Sequence, residues 1–188
     1  MMKKLVQILM IAMIVFSIVG CKKKSEEVTP DPVVPIDTVV IGDNYAGGIV
    51  FYVDATGQHG LVAATLDQSA GVAWNNGVNI NVSGTGFLLG QGQANTTAII
   101  ATQGVGTYAA SICDQLDLNG YTDWYLPSKN ELDMLFQQKA IVGGFSSNSY
   151  WSSSQSDPAD AWKQAFNTGY KLCYDKFAAF KVRAIRSF

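Results

Sequence analysis

The sequence predicts an α+β domain, with helices in the middle of the chain and strands towards both ends. Residues 48–53 and 60–64 are rich in β-branched and other apolar residues on either side of a turn-rich stretch, which predicts a β-hairpin. Apolar residues recur at helical spacing in residues 107–118 and again in residues 128–143. Beyond Gly144 the pattern is strand-like. Segregation of helices from strands is typical of the α+β class.

The composition narrows the function classes. The 188 residues are 48% hydrophobic, which suffices for one ordinary domain with a short appendage. A formal net charge of −2 is far from the basic balance typical of nucleic-acid-binding domains, so no nucleic-acid partner is expected. There is one histidine, His59, and it lies in a predicted turn. With only three cysteines as well, the sequence predicts neither a metal site nor a cofactor.

The N-terminus has the pattern of a lipoprotein export signal. Lys3 and Lys4 precede an apolar run over residues 5–19, which matches a secretory signal peptide of residues 1–20. The run ends in Ile-Val-Gly-Cys, which resembles the bacterial lipobox and implies that Cys21 carries the lipid. The alternative is an uncleaved N-terminal anchor helix.

A linker follows the predicted lipid site. Residues 21–38 contain three lysines, an acidic pair and three prolines, and they have too little apolar surface to pack. Proline-rich chain is extended and semi-rigid, so this segment is predicted to be a tether in front of a domain at 39–188. No aspartate follows Cys21, which resembles lipoproteins of the outer membrane. We expect an outer-membrane lipid anchor with the domain facing the periplasm or the cell surface.

A long polar segment follows the hairpin. Residues 71–93 are rich in Gly, Asn, Ser, Thr and Gln, with Trp74, Phe87 and Leu88 as the main apolar side chains. This composition predicts a long ordered loop or short irregular strands. Such loops often carry specificity, so residues 75–93 are candidates for ligand contact.

The helices have recognisable ends. A first helix is predicted at 94–102, capped by Asn95 and stopped by Gly104. The second, at 107–118, is stopped by Gly120. The third begins with a capping box, in which the Ser128 hydroxyl and the Glu131 side chain each satisfy a backbone N–H of the other residue.

The later strands are predicted at 150–153, 161–166, 170–174 and 180–186. The first and last strands are expected to lie side by side, since this protects their edges. Charge is uneven here, because residues 161–188 hold six cations and one carboxylate, whereas residues 39–160 hold two cations and ten carboxylates. We expect some of the late cations to pair with earlier carboxylates.

Five strings of the chain carry a resemblance to a known family: YAGGIVFY at 45–52, GQHGL at 57–61, NGYTDWYLPSKNEL at 119–132, YWSSS at 150–154 and VRAIR at 182–186. They resemble the Lcl C-terminal domain, whose members end bacterial collagen-like adhesins and occur in exported lipoproteins. The resemblance covers roughly residues 42–188 and implies a C-type-lectin-like fold. For the adhesin members it implies binding of sulfated polysaccharides.

Two departures from the resemblance bear on the site. Family members often place a cysteine where this chain has Ala184, so the usual bridge to the preceding helix is missing. A disulfide between Cys113 and Cys173 is permitted by an oxidising compartment, and two unpaired thiols are the alternative. The tripeptides with which true C-type lectins bind calcium and sugar do not occur in the sequence.

The motif strings also predict a structural constellation. Asp123, Trp124, Glu131, Trp151 and Arg183 are expected to hold the fold together. We predict a charge-assisted bond from Arg183 to Glu131 or Asp123, which would clamp the third helix to the last strand. The two tryptophans are expected in the core.

The sequence therefore predicts a lipid-anchored, non-catalytic binding protein for a polysaccharide or protein ligand. Lys163, Lys171 and Lys176 are expected to be exposed and are the predicted ligand-contacting cations. The alternative is a structural or assembly subunit of a cell-envelope complex. A third interpretation, an enzyme related to the sulfatase-activating oxidases that share the lectin-like fold, is disfavoured because Cys113 and Cys173 match no catalytic cysteine string.

Overall fold

The computed structural model describes residues 38–188, and the predicted signal peptide, Cys21 and most of the tether lie outside the described residues. The described part is α+β, as predicted, with two sheets and four short helices. The strands are β1 Asn44–Tyr45, β2 Gly48–Val53, β3 Gly60–Ala63, β4 Ser69–Val72, β5 Ser149–Gln155, β6 Asp160–Ala165, β7 Lys171–Asp175, β8 Phe180–Val182 and β9 Ile185–Ser187. The helices are α1 Gly92–Gln103, α2 Ala109–Asp114, α3 Lys129–Gln137 and α4 Lys139–Val142.

The first sheet contains the predicted hairpin and the last strand. Its order is β1-β2-β3-β9, and all three pairings are antiparallel. Val50 lies opposite Val62 in the hairpin, and a bulge follows Val50. Gly60 and Phe188 exchange two backbone hydrogen bonds, so the last strand lies beside the second strand of the hairpin and not beside the first strand as expected.

The second sheet has the order β4-β8-β5-β6-β7. Its pairings are antiparallel except that of β5 with β8, which is parallel. Residues 180–186 were predicted to form one strand, but they form two, because the chain crosses between the sheets at Arg183 and Ala184. β8 pairs with β4 and β5, and β9 pairs with β3.

Two of the predicted helices have different ends. α1 begins at Gly92, and Asn95 does not cap it; the Asn95 amide is buried and instead binds Gly86 and Ser153. The second helix was predicted to reach residue 118, but α2 ends at Asp114. The following residues form a tight turn in which Leu118 bridges Tyr121, and this turn competes with helix continuation.

The start of α3 follows the prediction closely. The Ser128 hydroxyl accepts from the Glu131 backbone N–H, and the Glu131 carboxylate accepts from the Ser128 backbone N–H. Leu132 and Leu135 are buried and Phe136 is half-buried, so this face of the helix contacts the core. After a break at Gln138 the short α4 ends at Gly143, whose φ of 73° suits glycine.

The core has two clusters of buried side chains. The first contains Trp74, Trp124 and Trp151, and the second contains Tyr125, Tyr150 and Phe166. Trp124 and Trp151 are therefore core residues, as predicted. The long loop between β4 and α1 is anchored by Trp74 and Val82, whereas the predicted apolar anchors Phe87 and Leu88 are exposed.

Candidate functional site

An open groove of about 590 Å³ lies on one side of the second sheet. Its walls come from strands β4 to β8, from the loop that precedes β5 and from the turn between β6 and β7. Six of the twelve lining residues carry a hydroxyl or amide group, five are apolar and one is a lysine: Ala70, Ser147, Asn148, Ser149, Ala165, Asn167, Thr168, Tyr170, Leu172, Ala179, Phe180 and Lys181.

Strand register explains why these residues meet. Lys163 lies opposite Leu172, and Ser149 lies opposite Ala165, so each pair shares a face of the sheet. Alternation along β6 places Lys163 and Ala165 on the same face. The face that carries the groove thus collects side chains from three neighbouring strands.

The groove offers free polar groups beside an exposed aromatic ring. Among the hydrogen bonds within residues 38–188, none uses the side-chain amides of Asn148 or Asn167 or the hydroxyl of Tyr170. Tyr170 is 71% exposed and Leu172 is 53% exposed. A ligand in the groove would therefore meet unused donors and acceptors next to a flat apolar surface.

The predicted ligand residue Lys163 lies beside this groove. Its ammonium donates to the Ser149 hydroxyl at 3.1 Å and lies 5.2 Å from the centroid of the Phe180 ring and 5.7 Å from that of Tyr174. No carboxylate within the described range pairs with it. Lys181 also lines the groove, but its ammonium binds Asp67 at 2.9 Å.

The other two predicted ligand lysines do not join Lys163. Lys171 lies on the opposite face of the sheet and pairs with Asp133 of α3 at 2.9 Å. Lys176 was expected to be exposed, and this is wrong, because its side chain is fully buried. The three lysines therefore do not form one basic patch.

Lys176 is instead a clamp between two loops. Its ammonium donates to the carbonyl of Pro158 at 2.9 Å, to that of Ile80 at 3.4 Å and to the Gln155 side chain at 2.6 Å, and it lies 4.5 Å from the centroid of the Trp74 ring. Burial lowers the pKa of Lys176 to about 8. The clamp joins the long loop to the β5–β6 turn.

Arg183 makes a charge-assisted bond, but the predicted partner is wrong and the third helix is not clamped. Arg183 bonds neither Glu131 nor Asp123; its Nε and Nη2 both donate to Asp67 Oδ1, at 2.9 Å and 2.7 Å. Nη1 donates to the carbonyls of Ala64 and Gly143, and Nη2 also donates to that of Gly144. All five guanidinium N–H groups therefore have an acceptor. Asp67 lies between β3 and β4, and Arg183 lies between β8 and β9. Their bond therefore joins the two segments that cross between the sheets, and it does not fix α3.

Asp67 collects several donors at once. Besides Arg183, it accepts from the Lys181 ammonium and from the Tyr150 hydroxyl, at 2.9 Å and 3.0 Å. Sequence reasoning missed this residue because it lies in a turn with no motif. The available signal was the excess of cations in residues 161–188, which predicts partners among the carboxylates of residues 39–160.

Asp123 pairs with a different arginine. Arg186 of β9 binds it through two parallel bonds of 2.7 Å and 2.8 Å, donates to the Ala46 carbonyl and stacks on the Tyr121 ring. The bond from Arg186 lowers the pKa of Asp123. The expected pairing of late cations with earlier carboxylates is thus confirmed by Arg183, Arg186, Lys171 and Lys181.

Glu131 is fully buried and closes the end of the long loop. Its carboxylate accepts from the backbone N–H groups of Ser128 and Gly90, at 2.7 Å and 2.8 Å. Burial raises the pKa of Glu131 despite these bonds. Other backbone groups of the loop are used in the same way, because the N–H groups of Val82 and Gly86 donate to the buried side chains of Gln155 and Asn95. The groove is therefore a better candidate for ligand contact than the loop.

Both cysteines of the described residues are free thiols, so the considered disulfide is not formed. Cys113 is buried on α2, whereas Cys173 is half-buried on β7, where its thiol donates to the Ser156 hydroxyl. His59 is exposed in the hairpin turn.

Residues 38–188 contain neither a metal-binding cluster nor a membrane-spanning helix. In this range, no three His, Cys, Asp or Glu side chains converge in a way that could hold a metal ion. None of the helices in the same range has the length and apolarity needed to cross a membrane.

The described part is a small α+β domain with an open groove lined by amide, hydroxyl and aromatic side chains. The family model of the Lcl C-terminal domain matches residues 63–186. The chain belongs to this family, as the motif strings predicted. No curated protein matches the chain.

Proposed function

We propose that the protein is a lipid-anchored, non-catalytic binding protein on the cell surface, and that its groove recognises a polysaccharide. One observation carries this proposal: the free amides of Asn148 and Asn167 lie in the groove with the exposed ring of Tyr170. Amides bind sugar hydroxyls in both directions, as donors and as acceptors. An aromatic ring covers the apolar C–H face of a sugar.

Membership of the Lcl C-terminal domain family supports a surface or adhesin-like role. The C-type-lectin-like fold is part of the proposal, and the two-sheet α+β architecture is compatible with it. The anchor rests on the N-terminal sequence, in which Cys21 directly follows the apolar run. One acyl chain binds a membrane only reversibly, whereas two hold a protein there stably. A Cys21 that carries more than one acyl chain would therefore keep the domain at the outer membrane.

The non-catalytic character is supported by the state of the nucleophile candidates. Burial raises the pKa of the Cys113 thiol, which disfavours the thiolate that a catalytic cysteine needs. Cys173 bonds a serine hydroxyl rather than a base.

Lys163 adds a preference for anionic polysaccharide. It lies at the edge of the groove without a carboxylate partner in the described part of the chain, so a sulfate or carboxylate group of the ligand could pair with it. Such pairing weakens as salt rises, because exposed charges are screened within about 10 Å at 0.1 M ionic strength.

The test is a glycan array that includes sulfated, carboxylated and neutral polysaccharides, probed with the full chain at low and high salt. We expect binding that Tyr170→Ala abolishes and Lys163→Met weakens at low salt. Phe177→Ala is the matched control for Tyr170, because Phe177 is 52% exposed but lies outside the groove lining. Lys139→Met is the control for Lys163.

A blank array with folded protein contradicts the proposal, as does binding that both groove variants leave intact. Loss of binding in Lys163→Met at all salt concentrations would indicate a steric or structural role for Lys163 rather than charge pairing. Neutral-glycan binding that resists salt would retain the groove and remove the anionic preference.

A second candidate function is docking in a cell-envelope assembly. It is favoured by the exposure of Leu172, Tyr174 and Phe177, which are 53%, 49% and 52% exposed along one edge of the second sheet. Apolar docking survives high salt, unlike charge-dependent glycan binding. Crosslinking in intact envelopes at high salt, compared between the native chain and Phe177→Ser, separates the two candidates, because Phe177 lies outside the groove lining.

A further inference from the structure

The strand β7 forms one edge of the second sheet. It pairs with β6 on one side, and no strand of the described residues pairs with its other side. Four of its five residues are exposed, and the fifth, Cys173, is half-buried. An open strand edge presents unpaired backbone groups that can extend the sheet.

The register shows which backbone groups point outward. Ala165 N–H donates to the Tyr170 carbonyl, and Lys176 N–H donates to the Ala159 carbonyl, so both of these opposed pairs are hydrogen-bonded. Hydrogen-bonded pairs alternate along an antiparallel ladder, so Leu172 and Tyr174 also bond β6.

By the same alternation, the N–H and C=O groups of Lys171, Cys173 and Asp175 point away from β6. Within the described residues, those of Lys171 and Cys173 make no backbone bond outside the β6–β7 ladder. The Asp175 carbonyl accepts from Ala178 N–H and keeps a second lone pair. The outer edge can therefore accept a further strand.

The sequence of β7, KLCYD, is complementary to itself in the antiparallel direction. If two copies meet at Cys173, Lys171 of one copy lies opposite Asp175 of the other. Leu172 then lies opposite Tyr174, so each exposed apolar side chain gains an apolar neighbour. Opposite charges and aromatic–aliphatic pairs are the cross-strand pairs that stabilise sheets.

We infer that β7 is a docking edge for a second copy of this chain, with the two β7 strands antiparallel about Cys173. The two second sheets then form one continuous sheet. Residues that are opposite each other share a face, so both grooves lie on the same side of that sheet. The pairing does not depend on what the groove binds.

The test compares the mass of the full chain by light scattering after gel filtration, over a concentration series. We expect a concentration-dependent dimer. Cys173→Pro should be monomeric, because it removes an outward N–H that takes no part in the ladder with β6. Cys173→Ala keeps the N–H and is the matched control, which should still form the dimer.

A change in mass counts only if the thermal unfolding of Cys173→Pro matches that of Cys173→Ala. If Cys173→Pro unfolds, Asp175→Lys takes its place, since it puts two cations opposite each other while leaving the backbone unchanged. A native chain that is monomeric throughout the series overturns the inference. A dimer that survives both Cys173→Pro and Asp175→Lys overturns it as well.

Oxidative crosslinking supplies an independent result. Copper-phenanthroline should join two native chains through Cys173, because residues directly opposite each other in a ladder lie within disulfide range. The crosslinked band should disappear in Cys173→Ser and persist in Cys113→Ser, since Cys113 is buried. Cys21 is replaced by serine in all of these variants, so that persistence of the band in Cys173→Ser contradicts the proposed register.

Discussion

Replacing Arg183 with lysine should destabilise the domain strongly, even though the charge is kept. The guanidinium makes five hydrogen bonds from a fully buried position, and a lysine has three donors on a longer flexible stem. At most three of the five bonds can be replaced, so at least two are lost, and at least one of the four acceptors is left without a donor. Each unsatisfied buried group costs about 1–3 kcal/mol, so we expect a loss of about 3 kcal/mol in the free energy of unfolding.

The assay is urea unfolding of the native chain and of Arg183→Lys, with thermal unfolding as a second measurement. For a domain of this size, 3 kcal/mol corresponds to a fall in Tm of roughly 6–12 °C. Arg186→Lys is the matched control. Arg186 makes three side-chain bonds, and its partner Asp123 is 48% exposed, so the same substitution should cost about 1 kcal/mol there.

A loss of less than about 1 kcal/mol in the free energy of unfolding of Arg183→Lys would contradict this role of the guanidinium. Equal losses in Arg183→Lys and Arg186→Lys would contradict it as well, because the burial of the first guanidinium would then have no energetic consequence. Asp67→Asn gives a further check, since it removes the charge that Arg183 faces and should also destabilise the domain.

Three further predictions concern single side chains. Ser128→Ala should lower the free energy of unfolding by about 1 kcal/mol in urea titrations, because it removes the N-cap of α3, and an unchanged midpoint would contradict this role. The pKa of Lys176 is about 8 in the folded chain and 10.5 ordinarily, so between pH 8 and pH 10.5 the unfolded chain binds this proton more tightly than the folded chain. The free energy of unfolding of the native chain should therefore rise with pH in that range, and the rise should be absent in Lys176→Met. The pKa of Asp123 is lowered by Arg186, so its contribution is present above 3.8 and is lost as the pH falls below that value; acid titration of Asp123→Asn should show a shallower loss than the native chain.

The elements that the sequence predicted well are those with local causes. The capping box of Ser128 and Glu131 depends on residues three positions apart, and the hairpin depends on a short turn, so both are legible in a single segment. The identity of the family was also legible, because its strings are contiguous.

The features that the sequence did not reveal depend on distant pairings. Nothing near Lys176 indicates that Pro158 and Ile80 would close around it, so a charged residue in a polar stretch was interpreted as exposed. Arg183 finds Asp67 across 116 positions, and the choice between it and other carboxylates is made by the order of the strands. The division of the last strand into β8 and β9 likewise depends on which sheet each half joins.

The groove could be predicted only in part. Lys163 was identified from the excess of late cations, but Asn148 and Asn167 were not, because asparagine in a turn is most simply explained by turn geometry. These amides line the groove because β5 and β6 lie side by side, which places the loop before β5 next to the turn after β6. Adjacency of loops follows from topology, which composition does not encode.

The buried Lys176 has a consequence for how the long loop responds to its surroundings. A loop held by a bound metal loosens when the ion is diluted or chelated, so its order follows the composition of the medium. The Lys176 side chain that holds Ile80 and Pro158 is part of the polypeptide and is present once per molecule at any concentration of divalent ions. At this contact, the conformation of the loop is therefore fixed by the polypeptide itself and is insensitive to chelators and to the concentration of divalent ions.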